Sequence, residues 1–548
     1  MSNKPKGPGV IAAAEPLAAA VGADILKQGG NAIDAAVAVG FALAVTYPAA
    51  GNLGGGGFLV GSIGRESSSG TSQVALDFRE EAPGAATADM YTLAAEAGHQ
   101  QASLLGHLAA GVPGSVAGMV TALERWGTMN RRQVIEPALL LARDGFEMTR
   151  RTHRMLAGSS TRSQMRRFEA TAEVFYPGGK AVAEGSLFRQ GDLARTLETI
   201  IEKGIPGFYD GEVADHIVVE MKRGGGLIST KDLLDYRPVE RTPIQFGQAQ
   251  GTAYSMPPPS SGGICLAQMS TMLDRFKIVG TDAESAKLYH LLAEVMRRSF
   301  ADRNQYLGDP DHVDCQLGLL QDPKRLASRA ASIQRSKVTA SSEFLSEEPT
   351  VKESEQTTHY SVIDKHGNGV SVTTTLNGSF GCKVVVPGTG FLLNNEMDDF
   401  TARPGEPNLF GLIQGAANAV APGKRPLSSM SPTVLLDSAG SVHAVLGTPG
   451  GPTIITNVFQ VLLGLTRLGL SPESSVTAPK IHHQCLPDQL TLEATIPSST
   501  ARTLETFGHT IARRSAMGDF QLIATAPGRG LVGVCDPRGG GAVSYTDR

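Results

Sequence analysis

The alternation of apolar and polar positions divides the chain into two grammars. From Glu15 to Gln28 the spacing predicts a helix that follows directly on the N-terminal residues, with Gly29-Gly30 as its left-handed stop. Asn31 then stands as cap of a second helix, with Asp34 three positions on in the place of a capping box. That helix ends before Tyr47-Pro48. After the glycines Gly54 to Gly57, Phe58–Ile63 and Val74–Phe78 read as strands. Helical periodicity returns over Gly114–Trp126, Arg132–Asp144, Leu193–Lys203, Glu212–Lys222, Ser229–Tyr236 and His290–Asn304. The segment Ser255 to Gly263 carries three prolines, which remove three donors and fix φ, so a rigid loop leading into a helix from Ile264 is expected.

Between about residues 329 and 356 Ser, Glu and Lys dominate and large apolar residues thin out, the composition of an exposed, mobile connector. Beyond it strands prevail. Tyr360–Ile363 and Val370–Thr373 flank Asp364-Lys365-His366-Gly367-Asn368-Gly369 as a hairpin. Further strands are expected at Val384–Pro387, Thr433–Leu436 and His443–Leu446, with a helix over Ile454–Leu468. A flexible connector that ends where a buried strand begins draws attention to the Gln356-Thr357 bond.

Composition narrows the function classes. The 548 residues exceed the needs of one small core, and a 41% hydrophobic content excludes a largely disordered chain. A net charge of −4 provides no basic field for nucleic acid or acidic membranes. The longest apolar run, Ala35 to Val45, is too short to span a bilayer and reads as a core helix. The start, MSNKPKGPGV, lacks the apolar core and cleavage site of a signal peptide. As written the chain is expected to be cytoplasmic, or periplasmic or secreted if its start is truncated. Cys265, Cys315, Cys382, Cys485 and Cys535 show no CxxC spacing and read as reduced structural thiols. No cofactor and no metal-ligand grouping is indicated. The glycine run lacks the Lys-Ser/Thr ending of a phosphate-binding loop, which favours close backbone packing instead.

The second half is dense in small hydroxyls and polar groups: Thr357-Thr358-His359-Tyr360, Thr373-Thr374-Thr375-Leu376-Asn377, Asn394 to Phe400, Arg425 to Pro432, and Gly447-Thr448-Pro449-Gly450-Gly451. Each alone is ordinary, since Thr suits strands and Ser and Asp suit turns. Together with Gly29 to Ala36, the Gly54–Gly57 run, Leu76-Asp77-Phe78-Arg79-Glu80 and the Met256–Gly263 loop, they resemble γ-glutamyltranspeptidases of the N-terminal-nucleophile hydrolase superfamily, over nearly the whole chain.

The resemblance implies an α+β fold, a four-layer αββα sandwich built from both halves of the chain. It implies a proenzyme that cuts itself at Gln356-Thr357, leaving a large subunit of residues 1–356 and a strand-rich small subunit of 357–548 in one globular unit. Thr357 would be the nucleophile, oriented by Thr375, with Gly450 and Gly451 as oxyanion donors. Arg79, Ser428 and Ser429 would hold the substrate α-carboxylate, and Asn377, Glu396 and Asp399 its α-ammonium. The implied substrates are glutathione and other γ-glutamyl amides, with water or an amino acid or dipeptide as acceptor. The chemistry is coherent on its own terms. A threonine hydroxyl needs a base, and the freed α-amine, with a reference pKa of about 7.7–8.0, can serve.

Three features depart from the family pattern. Phe410 stands where some bacterial relatives place a lid tyrosine, Pro452-Thr453 stands where many have Ser-Arg, and no leader precedes the chain. Without the resemblance, Arg79 would read as a surface ion pair with Glu80 or Glu81. Two alternatives remain at this level: an amidase like the cephalosporin acylases, and a non-catalytic glutamate-binding relative.

Overall fold

A computed structural model describes residues 8–64, 71–278, 280, 283–344, 357–402, 408, 409, 412 and 415–546. In chain order its main strands are β1 (Val10–Ala13), β2 (Gly56–Gly64), β3 (Thr71–Phe78), β4 (Val239–Arg241), β5 (Ile244–Gln248) and β6 (Gly251–Ser255). The later half adds β7 (Thr358–Ile363), β8 (Gly369–Thr375), β9 (Thr433–Asp437), β10 (Val442–Gly447), β11 (Gln521–Ala526), β12 (Gly530–Cys535) and β13 (Ala542–Tyr545).

These strands form two antiparallel sheets, of order β13-β1-β7-β8-β2-β3-β4 and β12-β11-β10-β9-β6-β5. The sheets lie face to face, β7 and β8 meeting β10 and β1 meeting β11 and β12. Helices α1 (Pro16–Lys27), α2 (Ala32–Thr46) and α3 (Ser115–Trp126) cover the outer face of the first sheet. On the other side α4 (Gly262–Leu273) covers the second sheet and α5 (Ala286–Tyr306) packs on α4; α6 (Pro323–Ala331) also rests on α4, and α7 (Thr453–Thr466) follows β10. The result is the four-layer αββα sandwich. β7 and β8, from the later half of the chain, are inserted between β1 and β2 of the earlier half.

Local chemistry explains the key elements. Asn31 Oδ1 accepts from the Ile33 and Asp34 amides at 2.9 and 3.0 Å, while Asp34 Oδ2 accepts from the Asn31 amide at 2.8 Å. This is the reciprocal cap expected of the pair, and the helix it starts is buried along every residue. The glycine run brings backbones together: a Cβ on Gly55 would stand 2.0 Å from the Thr375 carbonyl oxygen, and one on Gly54 2.2 Å from that of Leu392. The hairpin turn is held by Asp364, whose Oδ2 also receives the Ala32 amide at the start of α2, 3.0 Å away. All five cysteines are unbridged.

Two expectations need correction. A strand, β1, precedes the first helix, because its four buried residues gain partners on both edges from β13 and β7. Val384–Pro387 forms no strand; only Val385 bridges Leu392, inside a tight turn. The described part of the polar connector is mostly exposed, with isolated anchors. α6 runs through Ala331, Ile333 is buried, and Ser341 is sealed under α5, donating from its hydroxyl to the Cys485 carbonyl at 2.7 Å and from its amide to Asp488 at 2.7 Å. Residues 345–356 and Phe410 lie outside the described residues.

Candidate active site

Side chains alternate along β7, so Thr357, His359 and Ser361 share the face directed between the sheets. On the neighbouring strand Ser371, Thr373 and Thr375 share the same interior face, and Thr373 pairs with His359. Thr357 therefore sits at the lip of the sandwich, 6% exposed, beside the end of β8.

Thr357 lines a narrow cavity with Arg79, Arg303, Thr375, Asn377, Glu396, Asp399, Ser428, Ser429 and Gly451. Every expected site residue except Gly450 forms its wall, and Gly450 precedes Gly451 directly.

Each wall residue has a local reason for its place. Arg79 follows β3, and its amide donates to Asp77 Oδ1 at 2.9 Å. Glu396 and Asp399 occupy one 3₁₀ turn, where residues three apart lie one above the other. Asn377 takes a left-handed φ of 70°, with its amide donating to Thr375 Oγ1 at 2.7 Å and its Nδ2 to the Asn395 carbonyl at 2.9 Å. Asn377 Oδ1 is buried with no partner among the described residues. The Met256–Gly263 loop carries the Ser428 segment: the Ser261 amide and hydroxyl both donate to the Ser428 carbonyl, at 2.8 and 2.7 Å. Gly450 and Gly451 lie at the start of α7 with φ of 136° and 54°, and neither N–H donates to another described residue.

The electrostatics centre on Arg79, which is fully buried. Its guanidinium donates to Glu396 and, at 2.5 Å, to Asp399 Oδ2, while Nε reaches the Pro426 carbonyl at 3.2 Å. Glu80 Oε2 lies 3.6 Å away. Arg79 thus does pair with Glu80, but in the interior rather than at the surface, and Glu81 pairs instead with Arg425 at 2.8 Å. Three carboxylates crowd one cation. Burial pushes the Glu80 carboxyl up to about 7 against the pull of Arg79. Burial also holds Glu396 well above the usual carboxylate range, with Glu80 and Asp399 adding repulsion.

Two contributors carried no separate signal in the sequence. Arg303, on α5, enters the cavity with Nε donating to Ser261 Oγ at 3.0 Å and Nη2 to Ser429 Oγ at 3.3 Å. Burial lowers its guanidinium to about 10. Glu80 is buried with both carboxylate oxygens lacking a hydrogen-bond partner among the described residues.

Comparison with known proteins places the chain among relatives of one family. A family model described as gamma-glutamyltranspeptidase matches residues 18–546. A glutathione hydrolase proenzyme of Escherichia coli (strain K12) is 44% identical over 532 residues, 97% of this chain and 90% of its own. That of Bacillus subtilis (strain 168) is 37% identical over 555 residues, 97% and 91% respectively. Among solved structures, cephalosporin acylase from Bacillus halodurans matches with a TM-score of 0.85 at 26% identity, over 98% of this chain and 96% of that one. Helicobacter pylori γ-glutamyltranspeptidase matches with a TM-score of 0.58 at 39% identity, over 63% of this chain and 97% of that one.

Proposed function

The chain belongs to the γ-glutamyltranspeptidase family, and from that premise we propose that it is a self-cleaving γ-glutamyltransferase and glutathione hydrolase with Thr357 as nucleophile. The observation that carries the reading is the single buried cavity where Thr357 faces Arg79, Asn377, Glu396 and Asp399.

Self-cleavage at Gln356-Thr357 frees the Thr357 α-amine, leaving residues 1–356 and 357–548 as two interleaved subunits of one precursor. The amine, titrating near neutrality, takes the hydroxyl proton. Thr357 Oγ then attacks the γ-carbonyl carbon of glutathione or another γ-glutamyl amide. The C–N bond breaks, the proton passes to the departing amine, and a γ-glutamyl ester remains. Water or the amine of an amino acid or dipeptide attacks that ester and restores the hydroxyl. Thr375 orients Oγ, and the Gly450 and Gly451 amides face the developing oxyanion, a role worth about 3–4 kcal/mol per donor.

Recognition follows from charge. A γ-glutamyl group brings an α-carboxylate for Arg79, Ser428 and Ser429. It also brings an α-ammonium for Glu396, Asp399 and the unpartnered Asn377 Oδ1. An acyl group without an ammonium, as in a glutaryl amide, offers no donor to Asn377 Oδ1, which is buried and unpartnered among the described residues, and this disfavours the acylase reading.

The test is turnover of γ-glutamyl-p-nitroanilide against the corresponding glutaryl anilide, in wild type and in Thr357→Ala. Wild type is expected to release nitroaniline from the γ-glutamyl substrate with strong preference, and the variant from neither. A preference for the glutaryl compound, or undiminished turnover in the variant, contradicts the proposal.

A further inference from the structure

The interior of a β-sandwich is ordinarily apolar, yet His359, Ser361, Ser371 and Thr373 stand fully buried between the two sheets. Ser371 spans the gap simply, donating to the Leu446 carbonyl at 3.0 Å. The other three form a directed chain. Ser361 Oγ lies 2.9 Å from the Gln521 carbonyl oxygen and 3.1 Å from His359 Nε2. A carbonyl only accepts, so the single serine proton points to Gln521 and the serine oxygen accepts from Nε2–H. His359 Nδ1 is then bare, and the Thr373 hydroxyl donates to it at 2.9 Å. The chain runs from β8 through β7 to β11.

The imidazole also fills space. A Cβ on Gly447 would stand 2.3 Å from His359 Cε1, so the ring rests on the bare backbone at the end of β10. Gly447 pairs with Gln521, the residue that ends the hydrogen-bond chain. Two residues before His359 on the same face is Thr357; three residues beyond Gly447 is Gly450.

We propose that His359 is a positioning residue, a neutral Nε2–H strut that fixes the nucleophile's strand against the strand end leading into the Gly450-Gly451 amides. This rests on the reading of Thr357 and the two glycines given above. Both ring nitrogens are engaged, so His359 takes no proton from Thr357. Burial holds its pKa down at about 3, which keeps the ring neutral wherever the enzyme works. Its effect is geometric: it sets the distance between the attacking oxygen and the donors that receive the oxyanion.

The test combines a spectroscopic and a kinetic readout. In wild-type protein labelled with 15N-histidine, the His359 ring, assigned through its couplings to Thr373 and Ser361, is expected as the Nε2–H tautomer at neutral pH. His359→Phe keeps a ring but leaves the Thr373 hydroxyl without its acceptor and takes from Ser361 Oγ the donor it accepts from, and kcat is expected to fall about tenfold to a hundredfold with KM nearly unchanged. His359→Gln, whose amide offers both an acceptor and a donor, is expected to recover part of that loss. An Nδ1–H tautomer or an imidazolium overturns the proposal, as does a Phe variant with wild-type kcat or a loss confined to KM. If neither variant folds, the wild-type spectrum decides. A wild type without any γ-glutamyl turnover would sink the functional reading, whereas the tautomer answers for the strut separately.

Discussion

At the scale of single residues, Arg79 shows what sequence and structure each contribute. Its identity as a buried cation is invisible in Asp77-Phe78-Arg79-Glu80-Glu81, where adjacent acids suggest a solvated pair. Only the family motif assigned it to substrate. In the fold it holds Glu396 and Asp399 across more than three hundred residues of sequence. Replacing the planar fork by an ammonium, Arg79→Lys, keeps the charge and loses the paired donors. Steady-state kinetics with a γ-glutamyl anilide are expected to show kcat/KM down about tenfold to a hundredfold, mostly through KM. An unchanged KM would remove Arg79 from recognition. Thr357, Thr375, Asn377, Glu396, Asp399 and the serine pair were all legible as a constellation. Arg303 and Glu80 were not, because α5 and the residue after Arg79 reach the site through tertiary packing that no local spacing records. His359 was legible only as a member of the polar Thr357–Tyr360 run, since its bond to Thr373 depends on the register of β7 against β8 and the direction of its bond to Ser361 is set by the Gln521 carbonyl of the facing sheet.

At the scale of elements, the motifs that announce themselves locally were the readable ones. The Asn31 cap, the Asp364–Gly369 hairpin and the glycine run each state their geometry within a few residues. β1 escaped because its four residues become a strand only through neighbours from the far end of the chain. The polar connector is mostly exposed over its described part, in keeping with its composition, which averages away the isolated buried groups Ile333 and Ser341 that fasten it. Pro452, which departs from the family pattern, is accommodated by position: it caps α7, where a missing N–H costs no helical bond. The oxyanion loop before it is more demanding. Gly451 has φ of 54°, a region that costs an L-residue about 1–2 kcal/mol. Gly451→Ala is expected to lower kcat about a hundredfold to a thousandfold while sparing KM, because the donor rather than the substrate pocket moves. Comparable kcat in the variant would place the oxyanion elsewhere.

At the scale of the whole molecule, buried titratable groups give stability a two-sided pH dependence. Burial depresses His359 and His509 to about 3 and His483 to about 4. Their neutral forms are favoured by folding, so the stability they contribute is present above about pH 6.5 and is lost as pH falls through the folded values. Glu80, raised to about 7, has the opposite sign: its contribution is complete below about pH 4.3 and is lost as pH rises through 7. Glu396 is shifted in the same direction by burial. Thermal unfolding midpoints are therefore expected to fall as pH drops below about 6.5. Glu80→Gln should make the change in midpoint from about pH 5 to about pH 7.5 more positive than in wild type, and superimposable midpoint profiles for the two would contradict this.

The interleaving of both halves in one sheet explains why cutting the connector need not part them, since β7 and β8 remain paired with β1 and β2. No helix of the described residues is long and apolar enough to cross a membrane. The account's central claim is that the chain makes its own nucleophile by breaking the bond before Thr357. Intact-mass measurement of the purified protein reads this directly. Two species are predicted, whose masses match residues 1–356 and 357–548, collapsing to one full-length mass in Thr357→Ala. A wild-type protein that stays at full-length mass, or is cut at another bond, contradicts the claim.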